Sequence, residues 1–406
     1  MLRLTGRRAR ADSPVAQEAL LDWRASYRMR KLLFFAAAAA LAGCGTAERT
    51  GLTAADARAM IASYIPANVG DRDGWATDIY TPMAVLKIPV TPDNICAIVA
   101  ITEQESGFRA DPSIPNLPAI AWAEIERQRE KLGVPKLALD AALSVKSTNG
   151  RTYRERIDSA RTERELSEAF EDLIGRVPMG RTFFGDRNPV RTGGPMQVSV
   201  TYARAHANDK PYPYPVLGTI RDEVFTRRGG MYFGVAHLLD YPAPYDRYLY
   251  RYADYNAGHY SSRNAAFQAA LAMVSGEKLT LDGDLVVPRT TNPGDTENAA
   301  RSIAAKVGLD NAQVRQDLEA GSGRDFENTR LYRRVFELAD ARNGKPVARA
   351  VVPSIELQSP KFTRRLTTQW FAERVVQRHR QCLARGKKSQ SGSDPFFAEK
   401  GVRPLL

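Results

Sequence analysis

Residues 97–110 read AIVAITEQESGFRA, an apolar run that ends in two acids, Glu103 and Glu105, before a Ser-Gly turn. A carboxylate in the last turn of a helix faces the negative end of the helix dipole, which disfavours its charged form. Apolar neighbours add a desolvation penalty of the same sign. Both effects raise the pKa, and an acid kept protonated near neutral pH can act as a general acid. Cleavage of a glycosidic bond needs such a proton on the leaving oxygen. Helical spacing leaves both acids open, since at about 100° per residue they fall on opposite shoulders of the apolar stripe. Glu105 has Ile101 at i−4 and Ile98 at i−7 and adjoins the turn, which favours it slightly; Glu103 has Val99 at i−4. For either acid, a solvated helix end is the competing reading.

Two more stretches carry groups that could meet a substrate. Gly193-Gly194-Pro195-Met196-Gln197 sets a flexible backbone beside a thioether and an amide, and Tyr255-Asn256-Ala257-Gly258 sets a phenol and an amide at a helix end. Seven of the sixteen tyrosines fall between Tyr241 and Tyr260, and Tyr248, Tyr252 and Tyr255 are spaced to share one helical face. Such a face can stack on sugar rings or simply pack with its hydroxyls at a rim. The four histidines, His206, His237, His259 and His379, lack metal-ligand spacing, so no metal or cofactor is expected. His259 directly follows the Tyr-Asn-Ala-Gly stretch and is placed near the same groove. Neither a phosphate-cradling glycine loop nor a serine nucleophile elbow is present.

The series Glu-Ser, Gly-x-Met-Gln and Tyr-Asn-Ala-Gly, in that order, resembles the lytic transglycosylases of the lysozyme-like superfamily, over residues ~90–110 and ~190–270 with the few-residue error of any sequence boundary. The resemblance implies one catalytic acid/base, Glu105, acting on the bond between N-acetylmuramic acid and N-acetylglucosamine in peptidoglycan glycan strands. It implies substrate-binding roles for Ser106, Met196, Gln197, Tyr255 and Asn256, with Tyr255 hydrogen-bonded to the acid. Two departures stand out. Glu105 and Gly193 lie 88 residues apart, far more than the family pattern, and Pro195 stands where that pattern has Leu. The chain also resembles bacterial lipoproteins that carry a domain of unknown function. A non-catalytic envelope lipoprotein that binds or scaffolds while keeping the lysozyme-like fold is the alternative.

The elements that must position these groups are mainly helical. Thr91-Pro92 starts a helix, as N-cap and first helical residue, and Gly107 suits its end. Glu- and Arg-rich segments within 117–178 read as solvated amphipathic helices, and residues 367–383 are strongly periodic. In residues 279–287, LTLDGDLVV, an Asp-Gly pair between apolar runs predicts a hairpin. The expected architecture is a lysozyme-like helical core over 53–278 with a helical insertion at about 110–190. A helical C-terminal region with the small hairpin comes next over 279–385, and a flexible tail over 386–406.

The N-terminus reads as an address. Met29-Arg30-Lys31 precedes a ten-residue apolar run, LLFFAAAAAL, and then Ala42-Gly43-Cys44. That run is too short to span a bilayer, which takes about 20 residues, but it suits a signal peptide over 29–43. Leu41 to Cys44, LAGC, resembles a lipobox, which implies lipidation of Cys44, a tether over 44–52 and anchoring by acyl chains at a membrane. Gly45 after the cysteine implies the outer membrane of a Gram-negative envelope. Residues 1–28 are polar and Arg-rich and read as an extension upstream of this signal. Residues 1–43 hold eight basic and three acidic residues, so their removal lowers the net charge from +12 to +7. A basic surface suits an anionic envelope partner. No basic run is interleaved with aromatics as in nucleic-acid binders. Cys96 and Cys382 remain; in an oxidising compartment they can pair, the alternative being two separately buried thiols.

Overall fold

The computed structural model describes residues 52–391, except 177, 178, 180, 181, 183–187 and 358–364. The chain divides into a unit of residues 1–54 and a unit of residues 55–406. Nearly all of the first, including the expected signal peptide and Cys44, lies outside the described residues. The helices and sheets that form the cores belong to the second.

The fold is mainly α, with seventeen α-helices and two small antiparallel sheets among the described residues. In chain order the first helices are α1 (Ala54–Tyr64), α2 (Arg72–Val85), α3 (Pro92–Glu105), α4 (Leu117–Lys131), α5 (Lys136–Leu143), α6 (Tyr153–Ser159) and α7 (Glu163–Arg176). The strands β1 (Thr192–Gly193) and β2 (Val198–Ser199) then bracket the Gly-Pro-Met turn. Next come α8 (Val200–Asp209), α9 (Ile220–Val224), α10 (Arg227–Leu239), α11 (Tyr248–Ala257) and α12 (Ser261–Ser275). The last stretch holds α13 (Asp295–Ser302), α14 (Ala304–Val307), α15 (Asn311–Glu319), α16 (Arg330–Asn343), the strands β3 (Glu356–Leu357) and β4 (Leu366–Thr367), and α17 (Thr368–Ser391).

Helix α3 is the spine. The Thr91 side chain accepts a hydrogen bond from the Asn94 backbone N–H, and Pro92 opens the first turn. Ile95 to Ile101 are then buried without a break, so the helix is enclosed on every face. It surfaces in its first turn, at Pro92 and Asp93, and again at Glu103, Gln104 and Glu105. The apolar run therefore reads as core, and the acids mark where the helix leaves it. Helix α17 packs along α3 and also against α11, and a disulfide joins Cys96 on α3 to Cys382 on α17, with 5.5 Å between the Cα atoms.

A second core gathers Phe267 and Leu271 of α12 with Leu318 of α15 and Val335 and Phe336 of α16. Core membership thus crosses position 279 in both directions: α12 lines this second core, whereas α17 returns to the first, where Phe371 and Val375 pack. Residues 117–176 carry a small cluster of their own, in which Leu143, Tyr153 and Ile157 meet Trp122 and Ile125.

The hairpin expected over 279–287 is not formed; the segment contains no strand. Its polar backbone finds side-chain partners on α12 in place of a ladder. The Gln268 carbonyl accepts from the Gly283 N–H at 2.8 Å, while its amide donates to the Asp282 carboxylate and the Asp284 carbonyl. The segment from Gly386 to Ser391, expected as tail, is the end of α17. Gly386 does not break the helix; it makes room for the Tyr64 ring, which a Cβ there would meet at 2.0 Å. Residues 392–406 lie outside the described residues.

The disulfide closes a sequence separation of 286 residues, and such a link restricts the unfolded chain strongly. Replacing both cysteines, Cys96→Ser/Cys382→Ser, is expected to lower stability by about 2–4 kcal/mol. The shift of a urea midpoint reads this directly, and an unmoved midpoint would show that packing of α17 on α3 suffices without the bond.

Candidate functional site

The structure separates the two acids that spacing left open. Glu103 is held by α17: its carboxylate takes Arg378 at 2.8 Å and Arg385 at 3.3 Å, and the adjacent Gln104 accepts from Arg378 Nε at 3.0 Å. Glu105, at the helix end, belongs to a different neighbourhood. Its negative charge acts on Tyr255 of α11, whose hydroxyl is pushed well above the usual phenol range, first by burial and then by Glu105. The Tyr255 hydroxyl donates to the Met196 carbonyl at 2.6 Å. Two stretches far apart in sequence therefore meet here, the turn between β1 and β2 and the end of α11, and the charge at the end of α3 acts on the same tyrosine.

Glycines seat that turn. Gly194 has φ +72°, and a Cβ there would meet the Val224 carbonyl oxygen at 2.2 Å. On α10, a Cβ at Gly230 would strike Pro195, and one at Gly234 would strike the Met196 side chain. The turn thus lies directly on the backbone of α10. Gln197 closes it in the left-handed region, φ 51°, with its carbonyl taking the Thr192 hydroxyl and its amide reaching the Gly194 carbonyl.

The remaining expected residues take varied places. The Met196 side chain is fully buried in the first core and faces no groove; its carbonyl is what meets Tyr255. Ser106 is also buried, donating to the Thr102 carbonyl and accepting from the Arg109 N–H, which closes the helix end. Asn256 is exposed and accepts from Thr368 Oγ1 at 2.9 Å, tying α11 to the start of α17. Tyr248, Tyr252 and Tyr255 do share a face, but it is turned inward. Their hydroxyls meet Asn94, His379 and Met196 in turn, so the face packs inward, with Tyr248 also on the wall of a cavity.

His237 carries no mark in the motifs themselves, yet it belongs to this site. Its ring lies 4.9 Å from Tyr255 and 4.6 Å from Tyr202, stacked at 4.5 Å on His259. In the tautomer with a proton on Nε2, it donates to the Tyr255 carbonyl at 3.2 Å. A signal was available: Gly230, Gly234 and His237 fall at i, i+4, i+7, one face of α10 aimed at the turn and at Tyr255. His259, placed near the groove from sequence, donates in the same way to the His237 carbonyl at 2.7 Å.

A cavity of about 550 Å³ lies elsewhere, around Asn94 and the loops before α3 and α11, and Glu105 does not line it. Asn94 and Glu105 are separated along α3 by about 16 Å at 1.5 Å per residue. Among the described residues no cluster of three or more His, Cys, Asp or Glu could hold a metal ion, and no helix is long and apolar enough to cross a membrane.

The profile of a family described as "Protein of unknown function (DUF1615)" matches residues 68–385. The chain belongs to the DUF1615 family. That span takes in the helices of the 110–190 segment as well as most of α17, so both are part of what defines the family here. The chain is 48% identical over 347 residues to "Uncharacterized protein YaiW" of Escherichia coli strain K12, covering 84% of this chain and 95% of that protein. No solved structure matches. Neither match carries a lysozyme-like description.

All four histidines are held below their ordinary pKa by burial, and His237 is pushed down to about 3. Part of the His237 residue reaches solvent, but its ring is packed among Tyr202, Tyr255 and His259, so desolvation dominates. The folded protein keeps this imidazole neutral while the unfolded chain protonates it below pH ~6.5. Stability therefore falls as pH drops from about 6.5 towards 3, by on the order of 2 kcal/mol at pH 5 for His237 alone. Melting at pH 7.5 and 5.0 checks this. The wild-type drop should exceed that of His237→Gln, and equal drops would mean that His237 titrates in the folded state.

Proposed function

We propose that this member of DUF1615 is an exported lipoprotein and a peptidoglycan lytic transglycosylase, with Glu105 as its single catalytic acid/base. One observation carries the reading: the charge of Glu105 acts on Tyr255, whose hydroxyl meets the Met196 carbonyl, while the competing acid Glu103 is committed to Arg378 and Arg385. The electrostatic link between Glu105 and Tyr255 and the hydrogen bond from Tyr255 to Met196 support reading the three motifs as one site, in a fold that is mainly α.

In this reading Glu105 protonates the glycosidic oxygen between N-acetylmuramic acid and N-acetylglucosamine. As carboxylate it then takes the proton of the muramic acid 6-hydroxyl, whose oxygen closes on C1 to give a 1,6-anhydro sugar. The substrate's N-acetyl oxygen stabilises the intermediate cation, so no second carboxylate is required, in contrast to the two-carboxylate glycosidases. Tyr255, fixed by the Met196 carbonyl and backed by His237, sets the position of the acid's surroundings. The lipid on Cys44 anchors the protein at the outer membrane, beside its polymeric substrate. The Cys96–Cys382 bond suits such an oxidising compartment.

The alternative is an envelope lipoprotein that binds glycan without turnover. It is favoured by the burial of Ser106 and of the Met196 side chain, which removes two groups from any groove.

Mass spectrometry of soluble muropeptides released from purified peptidoglycan decides between these. Wild type should release anhydro-muropeptides, and Glu105→Gln should lower the rate at least ~10²-fold, the usual scale of general acid catalysis. Reducing-end products would make it a hydrolase. No release by a well-folded sample, with glycan still bound, would favour the binding lipoprotein.

A further inference from the structure

The cavity beyond the N-terminal end of α3 is built unlike an accidental cleft. We propose that it binds an acidic sugar, a ring bearing carboxylate or phosphate, with Lys87 and Arg247 holding the anion. Its volume of about 550 Å³ falls in the range of small-ligand sites.

Two cations on its lining stand where local rules disfavour them. Helix α2 ends in a Schellman motif: the Ile88 N–H bonds the Met83 carbonyl at 2.8 Å and the Lys87 N–H bonds that of Ala84. Lys87 holds the left-handed position of this motif, φ 57°, where glycine is the usual occupant. Arg247 is the N-cap of α11 and makes no side-chain cap bond. Ser, Thr, Asn and Asp are preferred there, and a positive charge at a helix N-terminus opposes the dipole. Two independent departures from local preference at one cavity point to function, since such conflicts concentrate at functional sites.

The neighbours leave these charges available. Neither Lys87 nor Arg247 has an ion pair among the described residues, Arg247 lying 5.9 Å over the Tyr250 ring, whereas Lys210 is paired with Asp240 at 2.6 Å. Arg251 reaches the backbone carbonyls of Leu238, Tyr241 and Ala243 and lies 5.0 Å over the Tyr241 ring. The tyrosines of the wall are fixed from behind. Tyr241 and Tyr245 donate to the buried Asp254, and Tyr248 donates to Asn94. Their hydroxyls are spent inward; the Tyr241 ring is buried between His259 and Arg251, and the half-buried rings of Tyr245 and Tyr248 are what the wall offers a ligand. Asp246, a carboxylate on the same lining, can accept hydroxyls. Cations, an acceptor and rigid aromatic surface together match a hydroxylated ring with a negative group better than an apolar or a neutral ligand.

This site is independent of the transglycosylase reading. Calorimetric titration of the purified protein with glucuronate, glucose 1-phosphate and glucose tests it. At least one of the two acids should bind, at least tenfold more tightly than glucose; which one identifies carboxylate or phosphate as the anion. The double variant Lys87→Gly/Arg247→Ser restores the preferred residue at both positions, so it should melt no lower than wild type yet bind the acid at least tenfold more weakly. A Lys131→Ala/Lys136→Ala control and Glu105→Gln should leave binding unchanged. No binding of either acid, affinity equal to that of glucose, or undiminished affinity in the double variant would overturn the proposal.

Discussion

The burial of α3 on all sides is the constraint on which the rest of the structure depends. A helix enclosed by core cannot shift or rotate without opening cavities, and a cavity the size of one large apolar side chain costs ~2–5 kcal/mol. Helix α17 locks it covalently through Cys96–Cys382 and ionically through Glu103, at two points along its length. Both ends of α3 are consequently fixed in space. One end presents Glu105 towards Tyr255; the other presents Asn94 at the wall of the cavity.

Helix α11 couples these two ends through its tyrosines. Tyr248 meets Asn94 near the start of α3, Tyr252 meets His379 of α17 at mid-length, and Tyr255 lies near its end. At the other side of α11, Asp254 is fully buried and accepts from two tyrosine hydroxyls and from the backbone N–H groups of Tyr260 and Ser262. A buried carboxylate is tolerated only when so satisfied. Burial still pushes its pKa up, with those hydrogen bonds opposing. This one group therefore fixes the cavity wall and the start of α12 together.

Much of this was legible in the residues where the signal is local. Thr91-Pro92 marks the start of α3 because capping is a matter of neighbouring atoms, and the periodicity of residues 367–383 marks α17 for the same reason. Signals that depend on distant partners misled. The Asp-Gly pair at 282–283 has the chemistry of a hairpin, but Gln268 supplies what a second strand would have supplied. Gly386 resembles a stop signal until Tyr64 is seen against it. The choice between Glu103 and Glu105 could not be made on a helical wheel, because it is made by Arg378 and Arg385, some 275 and 282 residues away.

The same distinction explains which features of the site were invisible. Met196 and Ser106 were expected to face substrate because their motif suggests it, yet a motif specifies a backbone arrangement as readily as a side chain. In this chain the Met196 carbonyl faces Tyr255 while its thioether fills the space above Gly234. The glycines of α10 are what permit this: with any side chain at 230 or 234 the turn would stand off the helix, and the carbonyl would be carried away from Tyr255. Gly-Gly-Pro-Met-Gln and the glycine pair of α10 are therefore one structural statement written in two places. His237, the next residue on that α10 face, secures Tyr255 from the other side through the Tyr255 carbonyl. The geometry around Glu105 is set by backbone held at close approach, and the side chains that chemistry would single out are the last components to be placed.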